Sequence, residues 1–379
     1  MSLKNESPLN TSVPNDRVVY SGQVVYMFAY DLAYDMVRPP ISTLLDRRVE
    51  EYVIGPSKRS PKQLFFFRPQ RIIFGPDTYH IRGTEVEVTY SVKIFPIGAI
   101  SIQVRVPFQR QSLASLVAYH NLEFDQKRVS ETATSLGTRV LEVLRPYCTR
   151  PVAALGDSEA YTVFQLDLQS DMSEGSAEAW FSAHRQEIAG LLTEESEPDT
   201  LSDQETCEST QDYLSYYTSD LAVMDWDAAL IVTDPENVED TLHIMEVANV
   251  QLLELNVYDR TLDTSLENVY RDLKRRRSGG SRKIHQNLRE LRVDMARFND
   301  ELLNITKFFG DWHLARLYQR LAGRFHLNDW NRIINEKLKT LAELYQLLQQ
   351  DSVNFWMVVL ESTIVLLFIM DLAVLIAGL

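Results

Sequence analysis

The sequence predicts an α+β protein, with an N-terminal antiparallel-sheet domain with packed helices, then a long antiparallel helical hairpin and a C-terminal transmembrane helix. Three patterns lead to this prediction. Apolar and polar residues alternate strictly in residues 85–106, apolar residues recur at helical spacing between residues 238 and 305, and residues 353–379 are an apolar run without Lys or Arg. A hydrophobic content of 45% in 379 residues agrees with a chain that buries a core.

The strand pattern is clearest in residues 85–106. Two stretches around the Pro96-Ile97-Gly98 turn each place apolar residues on one face and polar residues on the other. The first has Val86, Val88, Tyr90, Val92 and Ile94 opposite Glu85, Glu87, Thr89, Ser91 and Lys93; the second has Ile100, Ile102, Val104 and Val106 opposite Ser101, Gln103 and Arg105. We therefore expect a hairpin with one covered face and one wet face.

Shorter patterns predict the remaining strands and helices of residues 18–235. Strands are predicted at residues 22–30, 63–67, 71–74, 161–168 and 226–232, and helices at 41–48, 112–119, 125–145 and 177–192. Helices between antiparallel strands predict an α+β domain with helices on one sheet face. Residues 1–17 are polar and are expected to be a disordered lead-in without a secretory signal or transit peptide.

The net charge of −15 is local. Residues 167–240 contain 20 Asp and Glu and, of Lys and Arg, only Arg185. Their densest part, residues 193–212, lacks apolar periodicity and is predicted to be a solvated acidic loop, either an inert insertion or a shield for a basic surface. The two cysteines, Cys148 and Cys207, are far apart in the sequence, which fits a reducing compartment.

Residues 236–351 are predicted to form a helical hairpin or coiled-coil region. The first apolar stripe predicts a helix of about ten turns, and a second stripe follows the turn at Gly279-Gly280. The stripes are Val238, Leu242, Met245, Ala248, Leu252, Leu255, Tyr258, Leu262, Leu266, Val269 and Leu273, and then Ile284, Leu288, Leu291, Met295, Phe298, Leu302 and Ile305. Further helices are predicted at residues 312–325 and 330–350, the last running almost directly into the membrane segment.

Residues 353–379 would be about 40 Å long as a helix, enough to cross a bilayer core of about 30 Å. Lys337 and Lys339 lie just upstream, so the positive-inside rule places the N-terminal part in the cytoplasm. We expect a tail-anchored, single-pass protein, and a bacterial cytoplasmic membrane suits a chain without a transit peptide.

Catalytic signatures are missing from the sequence: no GxxxxGK[ST], GxSxG, HExxH or CxxC pattern occurs. Asp240, His243 and Glu246 could place metal ligands along one side of a helix, but a carboxylate di-metal site in a helical bundle needs a second such motif. An ordinary polar helix face is the favoured interpretation. No catalytic, metal or cofactor-binding residues, no cofactor and no small-molecule substrate are predicted.

The best binding signal is a basic turn, residues 274–283. Its cations, which could contact phosphates of RNA or of anionic lipids, are Lys274, Arg275, Arg276, Arg277, Arg282 and Lys283. They could equally complement the dipole of the preceding helix and solvate its tip. Within the membrane helix, Glu361 is a candidate for a contact between subunits, whereas Asp371 is expected near an interface.

Several C-terminal stretches resemble the required-for-meiotic-nuclear-division family, whose members occur in bacteria and mitochondria. The resemblance rests on residues 305–325 (ITKFFGDWHLARLYQRLAGRF), residues 330–351 (WNRIINEKLKTLAELYQLLQQD), the Leu360-Glu361 pair and residues 228–234 (AALIVTD). It implies a non-enzymatic, membrane-anchored protein that self-associates. Mitochondrial members of that family support organellar translation by holding ribosomes near the inner membrane.

From the residues and this resemblance we expect a membrane scaffold that forms a homo-oligomer and tethers a cytoplasmic partner, such as a ribosome or RNA. Two alternatives stay open. One is an oligomeric ion channel or transporter, which Glu361 on a central axis would favour. The other is a membrane-bound metal-dependent enzyme, which buried acids or histidines in a pocket would favour.

Overall fold

The computed structural model describes residues 19–37, 42–52, 69–167, 176–275, 293 and 312–378. The predicted lead-in, residues 1–17, and the predicted strand at residues 63–67 lie outside these ranges. A large mixed sheet occupies the N-terminal half, and long helices follow it, as the α+β prediction requires.

Ten strands form the main sheet, in the order β12-β13-β14-β11-β1-β7-β6-β5-β4-β3. Neighbouring strands are antiparallel except for β11 and β14, which run parallel. The strands are β1 Tyr20–Asp31, β2 Ala33–Met36, β3 Thr43–Leu44, β4 Arg47–Glu51, β5 Gln70–Ile81, β6 Thr84–Ile94, β7 Ala99–Gln111, β8 Glu123–Phe124, β9 Lys127–Arg128, β10 Cys148–Pro151, β11 Glu159–Leu166, β12 Tyr213–Leu214, β13 Leu221–Met224 and β14 Ala228–Val232. Two separate pairs, β2 with β10 and β8 with β9, are the remaining strands of the described residues.

The helices within the described residues are α1 Leu113–Leu116, α2 Val129–Leu144, α3 Ala177–Ala183, α4 Arg185–Leu192, α5 Asp203–Ser209, α6 Pro235–Arg275, α7 Trp312–Arg324 and α8 Leu327–Ala377. Short 3₁₀ helices occur at Val117–Tyr119, Arg145–Tyr147 and Pro198–Thr200. The long helix expected from the first apolar stripe is confirmed as α6, and the helices expected at residues 312–325 and 330–350 are confirmed as α7 and the first half of α8.

The hairpin predicted in residues 85–106 is confirmed as β6 and β7, which pair in register from Thr89 with Arg105 to Ile94 with Ile100. Its turn requires glycine at residue 98. Gly98 has a φ of 91°, and a Cβ atom there would lie 2.0 Å from the carbonyl oxygen of Ala33. Only glycine combines that left-handed backbone with so close an approach of another chain segment.

The prediction of a wet face on this hairpin is wrong for half of its length. Glu85 and Glu87 are exposed, but Lys93 is only 2% exposed and Gln103 is fully buried. The cause is α6, which packs across this face of the sheet while α1, α2 and α4 pack on the other. The helices of residues 18–235 do pack on one sheet face, as expected, and α6 from the following region covers the other face.

The helix predicted at residues 41–48 is wrong over its described part. Residues 43–51 instead form β3 and β4, joined by a two-residue turn at Leu45 and Asp46, both with positive φ. Such a turn suits the twist of a hairpin, and β4 then pairs with β5. Pairing with the sheet outweighs the weak helical signal that follows Pro40.

The acidic segment, residues 193–212, is more structured than the predicted solvated loop. It contains α5, whose first turn is capped by Ser202, with the Glu205 N–H donating to the Ser202 hydroxyl at 3.1 Å. Arg185 ties it down, because its Nε donates to the Thr210 hydroxyl oxygen at 2.7 Å. The segment packs on α4 at the edge of the sheet domain.

The second apolar stripe, Ile284 to Ile305, lies outside the described residues, so its antiparallel pairing with α6 stays a prediction. The described contacts of α6 are with the sheet along its first half and with α7 and α8. One helix thus belongs to the core of the sheet domain and to the helical region at once.

Candidate membrane stalk and its attachment to the sheet

The C-terminal helix α8 joins a packed segment to an exposed apolar one without a break. Ile334, Leu338 and Leu341 are buried against α6. In the window Trp356–Ala373, mean hydropathy reaches 2.0 and no residue is buried. Within the described residues, this is the one helix long and apolar enough to cross a membrane.

The packed part of α8 pairs with the second half of α6, and we call this pair the stalk. Leu262 and Val269 of α6 lie in the same apolar cluster as Leu338 and Leu341 of α8. On the outside of the seam, the Lys337 ammonium lies 2.6 Å from a carboxylate oxygen of Asp259 and 2.6 Å from one of Asp263. These two bridges give the register of the helices.

The two stalk helices run parallel. At the sheet end, α6 contacts the start of β11, where the Asn249 side-chain amide donates to the Glu159 carbonyl oxygen at 3.0 Å. The start of α8 lies at the same place, since the Phe325 and Tyr161 rings are 5.2 Å apart. Both helices then lead away from the sheet to the bridges at Lys337.

The register places the end of α6 beside the start of the apolar window. Arg275 lies 12 residues beyond Asp263 and 16 beyond Asp259, and residues 349–353 are equally far beyond Lys337. At a rise of 1.5 Å per residue, α6 ends about 5–10 Å before the level of Trp356. The basic residues at 274–283 therefore begin at the edge of the candidate span.

The candidate binding residues are placed only in part. Lys274 and Arg275 belong to the last turn of α6, while Arg276, Arg277, Arg282 and Lys283 lie outside the described residues. Glu361 and Asp371 both lie on the exposed apolar part of α8. Within the described residues, no side chain covers Glu361.

A buried ionic cluster attaches the first half of α6 to the sheet. Lys93 on β6 points at the Glu246 carboxylate of α6, with which it forms a very short contact, and its ammonium lies 3.3 Å from His243 Nδ1. The Tyr52 ring closes the cluster, since Lys93 Nζ lies 4.1 Å from its centroid. The side chains of Lys93, His243 and Glu246 are at most 2% exposed.

Burial and mutual charge set the protonation of this cluster. Burial lowers the pKa of Lys93, although Glu246 acts against this. Burial, together with the Lys93 charge, lowers the pKa of His243 to about 4, so the imidazole is neutral at pH 7. Burial alone would raise the pKa of Glu246, but Lys93 overcomes it and the value falls to about 2.

The metal-ligand pattern weighed in the sequence is used differently in the fold. His243 and Glu246 face a lysine ammonium, and no group of three or more potential metal ligands occurs in the parts of the chain that the structure describes. Within the same parts, His243 Nε2 and Glu246 Oε1 have no hydrogen-bond partner. The cluster is a rigid ionic joint, and sequence analysis missed it because it treated Lys93 as a wet-face residue.

A second ionic joint holds the root of the stalk. The Arg324 guanidinium at the end of α7 donates to the Asp225 carboxylate, with Nε at 3.0 Å, and both side chains are 9% exposed. Asp225 also accepts a hydrogen bond from the Trp226 N–H at 2.8 Å. The turn between β13 and β14 is thereby fixed to the helices that lead to the apolar window.

Comparison with known proteins places the sheet domain in a family. A family model described as the N-terminal domain of the uncharacterized protein MJ0711 matches residues 21–239. The chain belongs to this family. The matched residues cover the sheet and end in the first turns of α6.

The MJ0711 protein of Methanocaldococcus jannaschii is similar to this chain over more than that domain. It is 24% identical over 342 residues, which is 88% of this chain and 98% of that protein. An alignment of this length extends beyond the sheet into the helical region. No solved structure matches the chain.

Proposed function

We propose that the protein is a membrane-anchored, non-enzymatic scaffold. Residues 353–379 cross the bilayer, the stalk holds the sheet domain on the cytoplasmic side, and the sheet domain tethers a cytoplasmic partner. The resemblance to the required-for-meiotic-nuclear-division family supports a ribosome or RNA as that partner.

The observation that carries the proposal is the exposure of the apolar window. Soluble proteins rarely expose a contiguous apolar surface larger than a few hundred Å². Here every described side chain between Trp356 and Ala373 is exposed, on all sides of the helix. A hydrocarbon environment would remove this surface from water.

The stalk acts as a spacer in this proposal. From Leu327 to the start of the apolar segment at residue 353, α8 rises about 40 Å. Its packing against α6, which is itself locked to the sheet by Lys93 and Glu246, favours a fixed distance between the sheet domain and the bilayer. Lys337 and Lys339 on α8 support the cytoplasmic orientation through the positive-inside rule.

Anionic lipid headgroups are the proposed ligand of the basic residues at 274–283. The end of α6 lies about 5–10 Å before the level of Trp356, within reach of a headgroup layer. Each cation near an anionic surface adds about 1 kcal/mol of attraction. Self-association through Glu361 is the further element of the proposal, because an acidic side chain on a lipid-facing helix favours a polar partner.

The anchor is tested by carbonate extraction of membranes that contain the full-length protein. We expect it to stay in the membrane fraction, and we expect the chain without residues 353–379 to be soluble. In right-side-out spheroplasts, added protease should leave the sheet domain intact. Release of the full-length protein by carbonate would overturn the anchor.

The headgroup contact is tested with vesicles of neutral lipid and of neutral lipid mixed with phosphatidylserine. A variant with Arg275, Arg276, Arg277, Arg282 and Lys283 changed to Gln should lose the preference for the anionic vesicles and the salt dependence of that preference. The matched control changes five exposed cations of the sheet domain to Gln: Arg47, Arg48, Arg110, Lys127 and Arg139. An equal loss of vesicle preference in both variants would mean that net charge alone causes the effect. If the basic-turn variant keeps its preference for anionic vesicles but loses binding in a parallel assay with RNA, the basic turn binds RNA.

A further inference from the structure

Two acidic residues, Glu361 and Asp371, lie within the exposed apolar window of α8. A carboxylate on a membrane helix is costly in hydrocarbon, and such residues almost always face the interior of a helix bundle and pair with another polar group. The positions of the two acids on α8 therefore indicate which face of the helix packs against a partner.

The two acids lie on one face of the helix when it takes the period of a coiled coil. Ten residues separate them, and at 3.5 residues per turn this leaves them about 50° apart. Apolar side chains continue the same face at heptad positions a and d, and each of them is at least 46% exposed. In order along the helix, the face consists of Met357, Glu361, Ile364, Phe368, Asp371 and Leu375.

The surface of this face has the shape that a coiled-coil partner needs. A hollow in α8 is lined by Ile364, Leu367, Phe368, Met370 and Asp371. All but Met370 stand at i, i+3, i+4 and i+7, the spacing that bounds one hole on a helix surface. In a parallel coiled coil, an a-position side chain of the facing helix enters such a hole. The side chain at the matching position of a second copy is Phe368.

The face is accessible, because α6 packs on the other side of α8. Leu341 lies in the apolar cluster with α6, and Phe368 lies 27 residues beyond it. At 100° per residue, the two side chains leave the helix about 180° apart. Every copy of a single-pass protein enters the membrane in the same direction, so two such faces meet in parallel and place equivalent residues at equal depth.

We infer that α8 packs in parallel against α8 of a second copy within the bilayer, with Glu361 opposite Glu361 and Asp371 opposite Asp371. The inference rests on the proposed anchor and specifies the helix face through which the protein self-associates. Each acid pair is joined by a hydrogen bond when one of its two carboxyl groups keeps a proton, so neither pair leaves an isolated charge in hydrocarbon. Phe368 and Ile364 fill the seam between the pairs.

Disulfide cross-linking of the full-length protein in membranes tests this seam. In a background with Cys148→Ala and Cys207→Ala, single cysteines replace residues 360–372 in turn, and the membranes are oxidised. We expect cross-linked dimers to peak at residues 361, 364, 368 and 371, and to be weakest for Leu366→Cys on the far side of the helix. Cross-linking that is uniform along the helix, or that peaks on another face, would overturn the inference.

Paired variants test the two acids. Glu361→Met combined with Asp371→Leu removes both polar pairs, and we expect the association constant in liposomes, measured by energy transfer between labelled copies, to fall about tenfold. Glu361→Gln combined with Asp371→Asn keeps hydrogen-bonding groups and should preserve association. Thr363→Val is the matched control, because the Thr363 hydroxyl already donates to the Val359 carbonyl oxygen at 2.7 Å in its own helix. Equal association of the two double variants would remove the acids from the seam.

Carbonate extraction of each variant separates this inference from the proposed anchor. Protein that stays in the membrane but cross-links without a preferred face overturns the seam alone. Protein that carbonate releases overturns the anchor, and the seam with it.

Discussion

The two halves of α6 differ in how much water reaches the ion pairs that hold them. The first half packs on the sheet through an apolar core that encloses a pair of charges with almost no solvent exposure, Lys93 and Glu246. The second half lies in the stalk and is fixed by an apolar seam, with Lys337, Asp259 and Asp263 on its wetter side. The lysines at the two places make similar ion pairs, but water reaches only Lys337, whose side chain is 25% exposed.

This difference in exposure predicts how much the free energy of unfolding changes when each ion pair is broken. A buried charge that loses its partner cannot be solvated, so breaking the pair costs far more than the pair itself contributes. Lys337 and its partner Asp263 are 25% and 55% exposed, so water still reaches this bridge, and pairs near the surface are worth about 0–1 kcal/mol. The joint at the sheet therefore specifies where α6 sits, while the seam supplies the stability of the stalk.

The largest effect is expected from Lys93→Met. The change leaves the Glu246 carboxylate buried without its cation, and we expect a loss of about 3–5 kcal/mol in the free energy of unfolding, measured by urea denaturation. The matched control is Lys337→Met, for which we expect less than about 1 kcal/mol.

A double variant sharpens the first test. Lys93→Met combined with Glu246→Leu removes both charges, and its stability should return close to that of the wild type. If Lys93→Met and Lys337→Met lower the free energy of unfolding by the same amount, the two halves of α6 do not differ as described.

The next effect is a dependence of stability on pH that comes from His243. Its pKa is about 4 in the folded protein and 6.5 as the ordinary value. Between these values the unfolded chain binds more protons, so stability is full above pH 6.5 and falls as the pH drops toward 4, by about 3 kcal/mol. Glu246, with a folded pKa of about 2, adds a further loss only below its ordinary value of 4.5.

Urea denaturation at a series of pH values measures this slope. His243→Gln should flatten it between pH 6.5 and 4.5, whereas His80→Gln should not, because the side chain of His80 is 71% exposed. A wild-type slope that survives in His243→Gln would assign the acid sensitivity to other groups.

A smaller loss of stability than those at Lys93 and His243 is expected from the apolar seam of the stalk. Leu341→Ala removes a fully buried side chain from the seam between α6 and α8, and we expect a loss of about 2 kcal/mol. This is the low end for a buried leucine, since two helices can close over a cavity more readily than a sheet can. Hydrogen exchange should show faster exchange in the second half of α6, and Glu343→Ala, on an exposed position of the same helix, should show none of this. Faster exchange across β6 and β7 instead would mean that the stalk and the sheet unfold as one unit.

The long elements were predictable because each repeats one signal many times. The apolar stripe from Val238 to Leu273 predicts α6 almost to the residue, and the alternation in residues 85–106 predicts the pairing of β6 with β7. The helix at residues 41–48 was wrong because a few residues after a proline carry little information, and because pairing with β5 decides their structure.

The ionic joints could not be predicted in the same way. Lys93 and Glu246 are 153 residues apart, and Asp225 and Arg324 are 99 apart. Nothing local marks such pairs, since a lysine in a strand of alternating polarity has the pattern of a solvated residue. The wet face became a buried one when α6 packed across it.

The sequence by itself determined the α+β class, the long helices, the hairpin of β6 and β7 and the apolar run at residues 353–379. These depend on periodicity and composition, which act over neighbouring residues. Only the tertiary structure decided that α6 covers the polar face of β6 and β7, that its second half pairs with α8 in parallel, and that Arg324 is buried against Asp225. Those outcomes depend on which distant surfaces exclude water from each other. Burial of that kind changes Lys93 from a solvated charge into a desolvated one that needs Glu246 as its partner.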